Sequence, residues 1–387
     1  MYKRKMVFSA AFLAMLVFGI VMAVLGSVLP SVIAKFEITM VNAGSLFLLM
    51  SLGMLVGSLL FGPVVDRYGY KGLMVVCAVL IFAGIEGIAL APSVAFLKGA
   101  LILVGFAGGA INGGANALVA DISGKNRGSG LSFLGVFFGI GAFSVPFILG
   151  SFLGAFSYET LIATVGFLVL IPLAFFMIIR FPASKHNQGF PVADGMKLFK
   201  EKTLLLFGAL LFIQSGLEMV ISGWSATFFY ETLQIDARQS VFLLSAYWFA
   251  LMVARIVLGN LLKPSNQHLA LFASFGISLA GTLLMIFSSG KILAVTGLVL
   301  TGFGFAAVFP LILAFVGDSY SRLSGTAFSL VLAMGLLGGM LFPWLTGIMA
   351  GLFGLKMALL IAPVSIVSAI ILFRFIEVRE KMTKETR

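Results

Sequence analysis

The sequence predicts an all-α membrane protein of twelve transmembrane helices in two pseudo-symmetric halves of six, and three observations predict it. Of the 387 residues, 61% are hydrophobic and only 10% charged, with a mean hydropathy of +1.16. An ordinary soluble domain is about half apolar and a quarter charged, so a water-soluble fold of this length has no interior large enough for so much apolar surface. Second, apolar runs recur at the length of about 20 residues that a helix needs to cross a hydrocarbon core of about 30 Å. Third, the two halves of the chain repeat each other at one constant offset.

Breaks marked by Pro, Gly and charge place the spans at 6–32, 41–61, 73–90, 97–119, 131–154, 160–180, 203–226, 240–262, 268–288, 292–315, 325–347 and 355–375. The first apolar run is longer than a secretory signal core and is read as a retained span. The longest interruption, 181–202, carries Pro, Gly and a run of charges and separates an N-terminal half, 1–180, from a C-terminal half, 203–387. At an offset of 197 residues Gly62 meets Gly259, Gly105 meets Gly302, Phe106 meets Phe303 and Asp121 meets Asp318. The same offset brings Gly128 onto Gly325, Gly141 onto Gly338, Pro146 onto Pro343 and Gly150 onto Gly347 without a gap.

Orientation follows from the 25 Lys and Arg. With a cytoplasmic N-terminus, 19 fall on inside segments, 5 on outside segments and one, Arg255, within a span. The positive-inside rule therefore predicts a multi-pass protein of the cell (inner) membrane with both termini cytoplasmic. The net charge of +11 needs no nucleic-acid partner, because anionic lipid accounts for it. The single cysteine, Cys77, excludes a disulfide framework. No phosphate-binding loop is present, and the isolated His186 and His268 offer neither a metal cluster nor a Ser/His/Asp set, so no cofactor, no metal and no catalytic residue is expected. The expected partners are a small-molecule substrate and the lipid bilayer, with the chain acting as a monomer.

Two parallel six-helix halves are the organisation of a secondary transporter, whose substrate site lies between them near the bilayer midplane. The stretch GPVVDRYGYKG, residues 62–72, lies between spans two and three. It resembles the signature G-x-x-x-D-R-x-G-x-K/R of the major facilitator superfamily, on the loop where that family has it. The resemblance implies the major facilitator fold and a cytoplasmic latch between the halves, carried here by Gly62, Asp66, Arg67, Gly69 and Lys71. Gly69 and Gly72 are expected to permit the tight turn, and Asp66 to sit against a helix N-terminus. In the second half Lys263 and Pro264 stand where Asp66 and Arg67 would, so the latch is expected to be asymmetric.

A narrower resemblance covers most of the chain. GGAINGGANALVAD (108–121), GLSFLGVFFGIGAFSVPFILG (130–150), FIQSGLEMVISGW (212–224) and SAYWFALMVARIVLG (245–259) are similar to the fucose-galactose-glucose:proton symporters. That resemblance implies uptake of a hexose or related polyol driven by a cation gradient. Proton-coupled members have a carboxylate on the fourth span four residues before the Asn. Asn112 occupies that position here, and the first span has no acidic residue. An amide exchanges no proton at physiological pH, so the branch's usual coupling site is absent.

Charged and polar groups inside spans are costly and are candidates for function. Glu218 is the foremost: protonated it carries a proton, and ionised it can neutralise Na⁺, so H⁺ or Na⁺ is the expected coupling ion. Gln214 lies one turn before it, with Ser222 and Ser225 near the same face. Asn112 and Asn116, at i,i+4, offer donors and acceptors to hydroxyl groups. Trp224, Tyr247 and Trp248 are flat surfaces against which a sugar ring can pack. Glu86 is close enough to the outer end of its span to snorkel to water. Arg255 is expected to pair with Asp121 or Asp318 in a cytoplasmic gate. The Met- and Phe-rich walls leave one alternative, a facilitator exporting amphipathic drugs or lipids. A membrane-embedded enzyme or receptor is disfavoured, because the sequence has no nucleophile–base set and no sizeable soluble domain.

Overall fold

The structure, a computed structural model, describes residues 2–123, 127–182, 201–261, 266–320 and 324–385. Most of the expected linker, 183–200, lies outside the described residues, as do Lys125, Lys185, His186, Lys263, Pro264 and Arg322. The N-terminal half holds α1 (Arg4–Phe36), α2 (Met40–Ala89), α3 (Val94–Ser123), α4 (Arg127–Phe152) and α5 (Tyr158–Ile178). The C-terminal half holds α6 (Lys202–Glu231), α7 (Ala237–Leu261), α8 (Gln267–Phe287), α9 (Lys291–Ser319), α10 (Ser324–Phe353), the single turn α11 (Leu355–Ala358) and α12 (Ile361–Glu385).

Among the described residues eleven segments are long and apolar enough to cross a membrane. One of them, α2, has 50 residues. At 1.5 Å per residue a straight helix of that length reaches about 75 Å, more than twice the hydrocarbon core, so it must fold back. It does so at Gly69, whose φ of 77° and ψ of 170° interrupt the helical backbone. A side chain is strongly disfavoured in that region of φ/ψ space, which is why glycine stands there. The expected loop is therefore one residue wide, and α2 contains both the second and the third predicted spans. Gly72 is not needed for the turn: it sits within the returning arm with only ordinary contact to Tyr68 Cβ.

Elsewhere most helices begin a few residues before the predicted spans and several run past them, while α4, α5 and α8 stop one or two residues short. Thr39 Oγ1 accepts the Asn42 N–H to start α2, and Ser157 Oγ accepts the Thr160 N–H to start α5. The last predicted span is broken once. Pro363 has no N–H for the Leu359 carbonyl, which is taken instead by Ala362 N at 3.0 Å, and this tightens the chain between α11 and α12.

The repeat in the sequence reappears as repeated contacts. A Cβ at Gly105 would overlap the Met50 carbonyl, and one at Gly302 would lie 2.7 Å from the Tyr247 carbonyl. Both members of the pair shift by the same 197 residues. Small residues let membrane helices approach to backbone contact, and these glycines are where the helices do so.

The halves meet through α1 with α6, α2 with α10 and α4 with α7. Their closest approaches lie toward the end of the bundle opposite the N-terminus, here called the far end. A Cβ at Gly26 would overlap the Ser222 carbonyl, and one at Gly347 would lie 2.7 Å from Gly44 Cα. At the far ends of α4 and α7, Arg238 donates to the carbonyls of Gly150 at 3.3 Å and Ser151 at 2.9 Å. A cation on the last carbonyls of a helix also meets the negative end of its dipole. The α4–α7 contacts then descend through Phe147–Phe242 and Phe143–Phe249 to Gly139 and Met252, near mid-helix.

Candidate substrate-binding site

Glu218 sits in the interior half of α6 and is 9% exposed. Its Oε1 lies 3.8 Å from Arg255 Nη2 on α7, an ion pair longer than a hydrogen bond. The guanidinium carbon of Arg255 lies 5.6 Å from the centre of the Phe138 ring on α4. Arg255 therefore faces Glu218, and the expected pair with Asp121 or Asp318 is not formed. Depth along the helix axes suggested those partners, but a long arginine side chain reaches past a helical turn of about 5.4 Å.

Around this pair several buried polar atoms have no partner. The Tyr247 hydroxyl and Trp248 Nε1 make no hydrogen bond, and the Gln214 amide lies beside the Glu218 carboxylate without reaching full hydrogen-bond geometry to any partner. Tyr247 is within electrostatic reach of both Glu218 and Arg255. Leaving a buried donor or acceptor unpaired costs about 1–3 kcal/mol, so such groups gather where water or a solute completes them. The aromatic pair does not present open faces: both residues are fully buried, with rings edge to face at 5.2 Å and Trp248 against Phe138 at 5.8 Å. What Tyr247 and Trp248 have left to offer a solute is the O–H and the N–H. Ser222 and Ser225 have committed their protons, each donating one turn back, to the carbonyls of Glu218 at 2.7 Å and Ile221 at 2.5 Å, and can only accept from a solute.

In the N-terminal half Asn116 Nδ2 donates to Asn112 O and to Asn112 Oδ1, both at 2.9 Å. The two amides pre-orient each other, which keeps the Asn112 N–H₂ and the Asn116 carbonyl for a solute. Asn116 also lies 4.0 Å from Met15 Sδ of α1. Helix α1 packs on both α3 and α6 and is what the asparagines share with the Glu218 group.

Trp224 is placed differently from the expectation. It is fully buried at the far-end junction of the halves, its ring 5.7 Å from Phe47 of α2 and its Nε1 donating to Pro343 O at 3.1 Å. Pro343 has a second effect. Without an N–H it leaves the Gly339 carbonyl of α10 without its helical donor, and Ser51 Oγ of α2 approaches that oxygen at 3.4 Å from the other half.

Of the signature residues, Asp66 and Arg67 are exposed, and Arg67 lies over the Tyr68 ring at 5.3 Å. Gly62 faces open space. Lys71 Nζ donates to Met177 O at 2.7 Å, capping the C-terminal turn of α5. Asp121, at the end of α3, accepts the Tyr70 hydroxyl at 2.7 Å. Asp318 is exposed in the last turn of α9. Sequence reasoning missed Tyr70, which was hidden inside a motif whose charged members drew attention, and Phe138, one of 40 phenylalanines. Glu86 does not simply snorkel: its Oε1 is buried without a partner, close against Gly166 of α5.

Comparison with known proteins bears on this arrangement. The family description Major Facilitator Superfamily matches residues 11–322 and 267–387. The chain is 23% identical over 342 residues to the glucose/mannose transporter GlcP of Bacillus subtilis (strain 168), covering 85% of this chain and 84% of that one. Among solved structures, the nucleoside transporter NupG superposes with a TM-score of 0.81 at 15% identity, over 96% of this chain and 99% of the other. A D-xylose-proton symporter superposes with a TM-score of 0.77 at 16% identity, over 96% and 97%. Likeness at these identities is of fold.

Proposed function

The chain belongs to the Major Facilitator Superfamily, a family of membrane transporters and not enzymes, and from that premise we propose that it moves a small neutral polyhydroxylated solute of the hexose class. Transport is by alternating access across the cytoplasmic membrane, coupled to a cation gradient. The observation that carries this reading is the set of unpartnered buried groups on Gln214, Tyr247 and Trp248 beside a Glu218–Arg255 pair whose charges cancel. A site of zero net charge, rich in donors with a few acceptors, suits hydroxyl and ring oxygens and penalises an ion. Likeness to a glucose/mannose transporter supports the same class.

With the N-terminus cytoplasmic, the far end is the extracytoplasmic face, and closure there corresponds to an inward-facing protein. Asn112 and Asn116 from one half, and Gln214 and Glu218 from the other, hold the solute while the halves rock about it. Asp66, Arg67, Gly69, Lys71 and Asp121 join the cytoplasmic ends when the cycle turns outward. Glu218 is the coupling residue, and H⁺ is favoured over Na⁺ there because Arg255 opposes either cation, but a proton needs only the carboxylate, whereas Na⁺ needs several oxygen ligands around it.

Replacement of Gln214 by Leu removes two hydrogen-bonding atoms at nearly constant volume. At about 0.5–1.5 kcal/mol for each bond, the hexose concentration for half-maximal exchange is expected to rise by about tenfold. Exchange of labelled hexose in proteoliposomes measures this directly. An unchanged half-saturation for every transported sugar would remove Gln214 from the site.

A further inference from the structure

Arg255 touches two things, and they belong to different halves. Its charge partner Glu218 is on α6 of its own half, and the aromatic face it leans on, Phe138, is on α4 of the other. Phe138 is itself 94% enclosed (6% exposed), held by Phe18 at 5.6 Å and by Trp248 at 5.8 Å. The α4–α7 contacts descend from Arg238–Gly150 at the far end, and the Phe138–Arg255 contact is placed at their inner limit. Among the described residues it is the innermost of these aromatic and side-chain contacts between α4 and α7.

An arginine does not give up its proton, so a guanidinium largely enclosed at this depth, with its side chain 19% exposed, is stabilised by the anion and the π face beside it. While Glu218 is charged, Arg255 divides between the two. Once the carboxylate loses its charge, the Phe138 face is the remaining counterpart, and a desolvated cation–π contact strengthens. The groups surrounding the carboxylate are Arg255, Tyr247 and Gln214, none of which carries negative charge to replace it.

We infer that Arg255 and Phe138 form the positioning element that transmits the charge state of Glu218 to the junction between the halves. Neutral Glu218 tightens the Arg255–Phe138 rung and holds the far end closed, while charged Glu218 loosens it. This rests on the reading of Glu218 as the coupling residue and deepens it, but it does not depend on which solute is carried.

The test therefore contains no solute. Spin labels on Glu37→Cys and Ser289→Cys, exposed residues at the far ends of the two halves, report the closed and open populations by electron–electron distance measurement in nanodiscs. The buried Cys77 is replaced by Ser. Glu218 and Glu218→Gln are each compared with Phe, Tyr or Leu at position 138. With Phe or Tyr, both of which keep a π face, Glu218→Gln is expected to raise the closed-to-open ratio by about threefold or more, and with Leu by less than about 1.5-fold. Phe138→Met repeats the Leu arm if Leu does not fold. An equal response with Leu and Phe, a Tyr variant that behaves as Leu does, or no response with Phe would each overturn the assignment. Failure of hexose uptake would leave this readout untouched, and so the two claims fail separately.

Discussion

Arg255→Met is expected to destabilise the protein strongly, and addition of Glu218→Gln to restore most of what it loses. Glu218 is 9% exposed and has one cationic partner, at 3.8 Å. Removing one member of a buried pair costs about 3–5 kcal/mol, because the remaining charge keeps its desolvation penalty and loses its compensation. Removing both leaves neutral groups of similar volume, which is often close to neutral. Thermal unfolding of the purified protein in detergent, run for the parent, both single variants and the double variant, measures the coupling. The double variant should unfold well above Arg255→Met alone. Additive losses would mean that the pair is not an interacting unit, and the electrostatic account of the site would go with it.

Gly26→Leu is expected to leave the protein folded but hold the far end open, with transport reduced to about a tenth or less, since a kinetic loss of that size needs only about 1.4 kcal/mol. A Cβ at Gly26 overlaps the Ser222 carbonyl of the opposite half. That collision can be relieved by rocking α1 away from α6, a motion the transport cycle already contains. Gly141→Leu provides the contrast. Its Cβ would overlap the Leu16 carbonyl of α1, within the same half, where no rocking of the halves gives relief. Overpacking there must be met by strain, and loss of a monodisperse folded protein is expected. The Glu37–Ser289 label pair and gel filtration distinguish the two outcomes. A Gly26→Leu protein that still closes at the far end would contradict the placement of the junction between the halves.

The spans were legible because lipid leaves a chain few choices: an apolar run of bilayer length must be a helix, and charges cluster where it ends. The Gly69 break was legible as a turn but not as a one-residue turn, since the width of a turn depends on backbone angles that composition does not carry. Glu218 and Gln214 stood out as polar groups inside an apolar run. Their surroundings did not stand out: whether Arg255 meets Glu218, Asp121 or Asp318 depends on helix rotation and side-chain reach. Tyr247 and Trp248 were expected to offer ring faces, but their rings are buried and only the O–H and N–H are left unpaired, because packing, not residue type, decides whether a ring or its polar atom is free. Trp224 was misplaced for a related reason. It was expected as a flat surface for a sugar ring, yet its ring is buried against Phe47 of the other half and its Nε1 is taken by the Pro343 carbonyl.

The most direct test of the central claim is uptake by purified protein in proteoliposomes of a small panel of labelled hexoses, under an imposed proton gradient and, separately, a Na⁺ gradient. The account predicts saturable accumulation of at least one hexose under the proton gradient and not under the Na⁺ gradient, with Glu218→Gln retaining exchange but losing accumulation. No saturable uptake of any hexose under either gradient would contradict it, and would direct attention to export of amphipathic solutes.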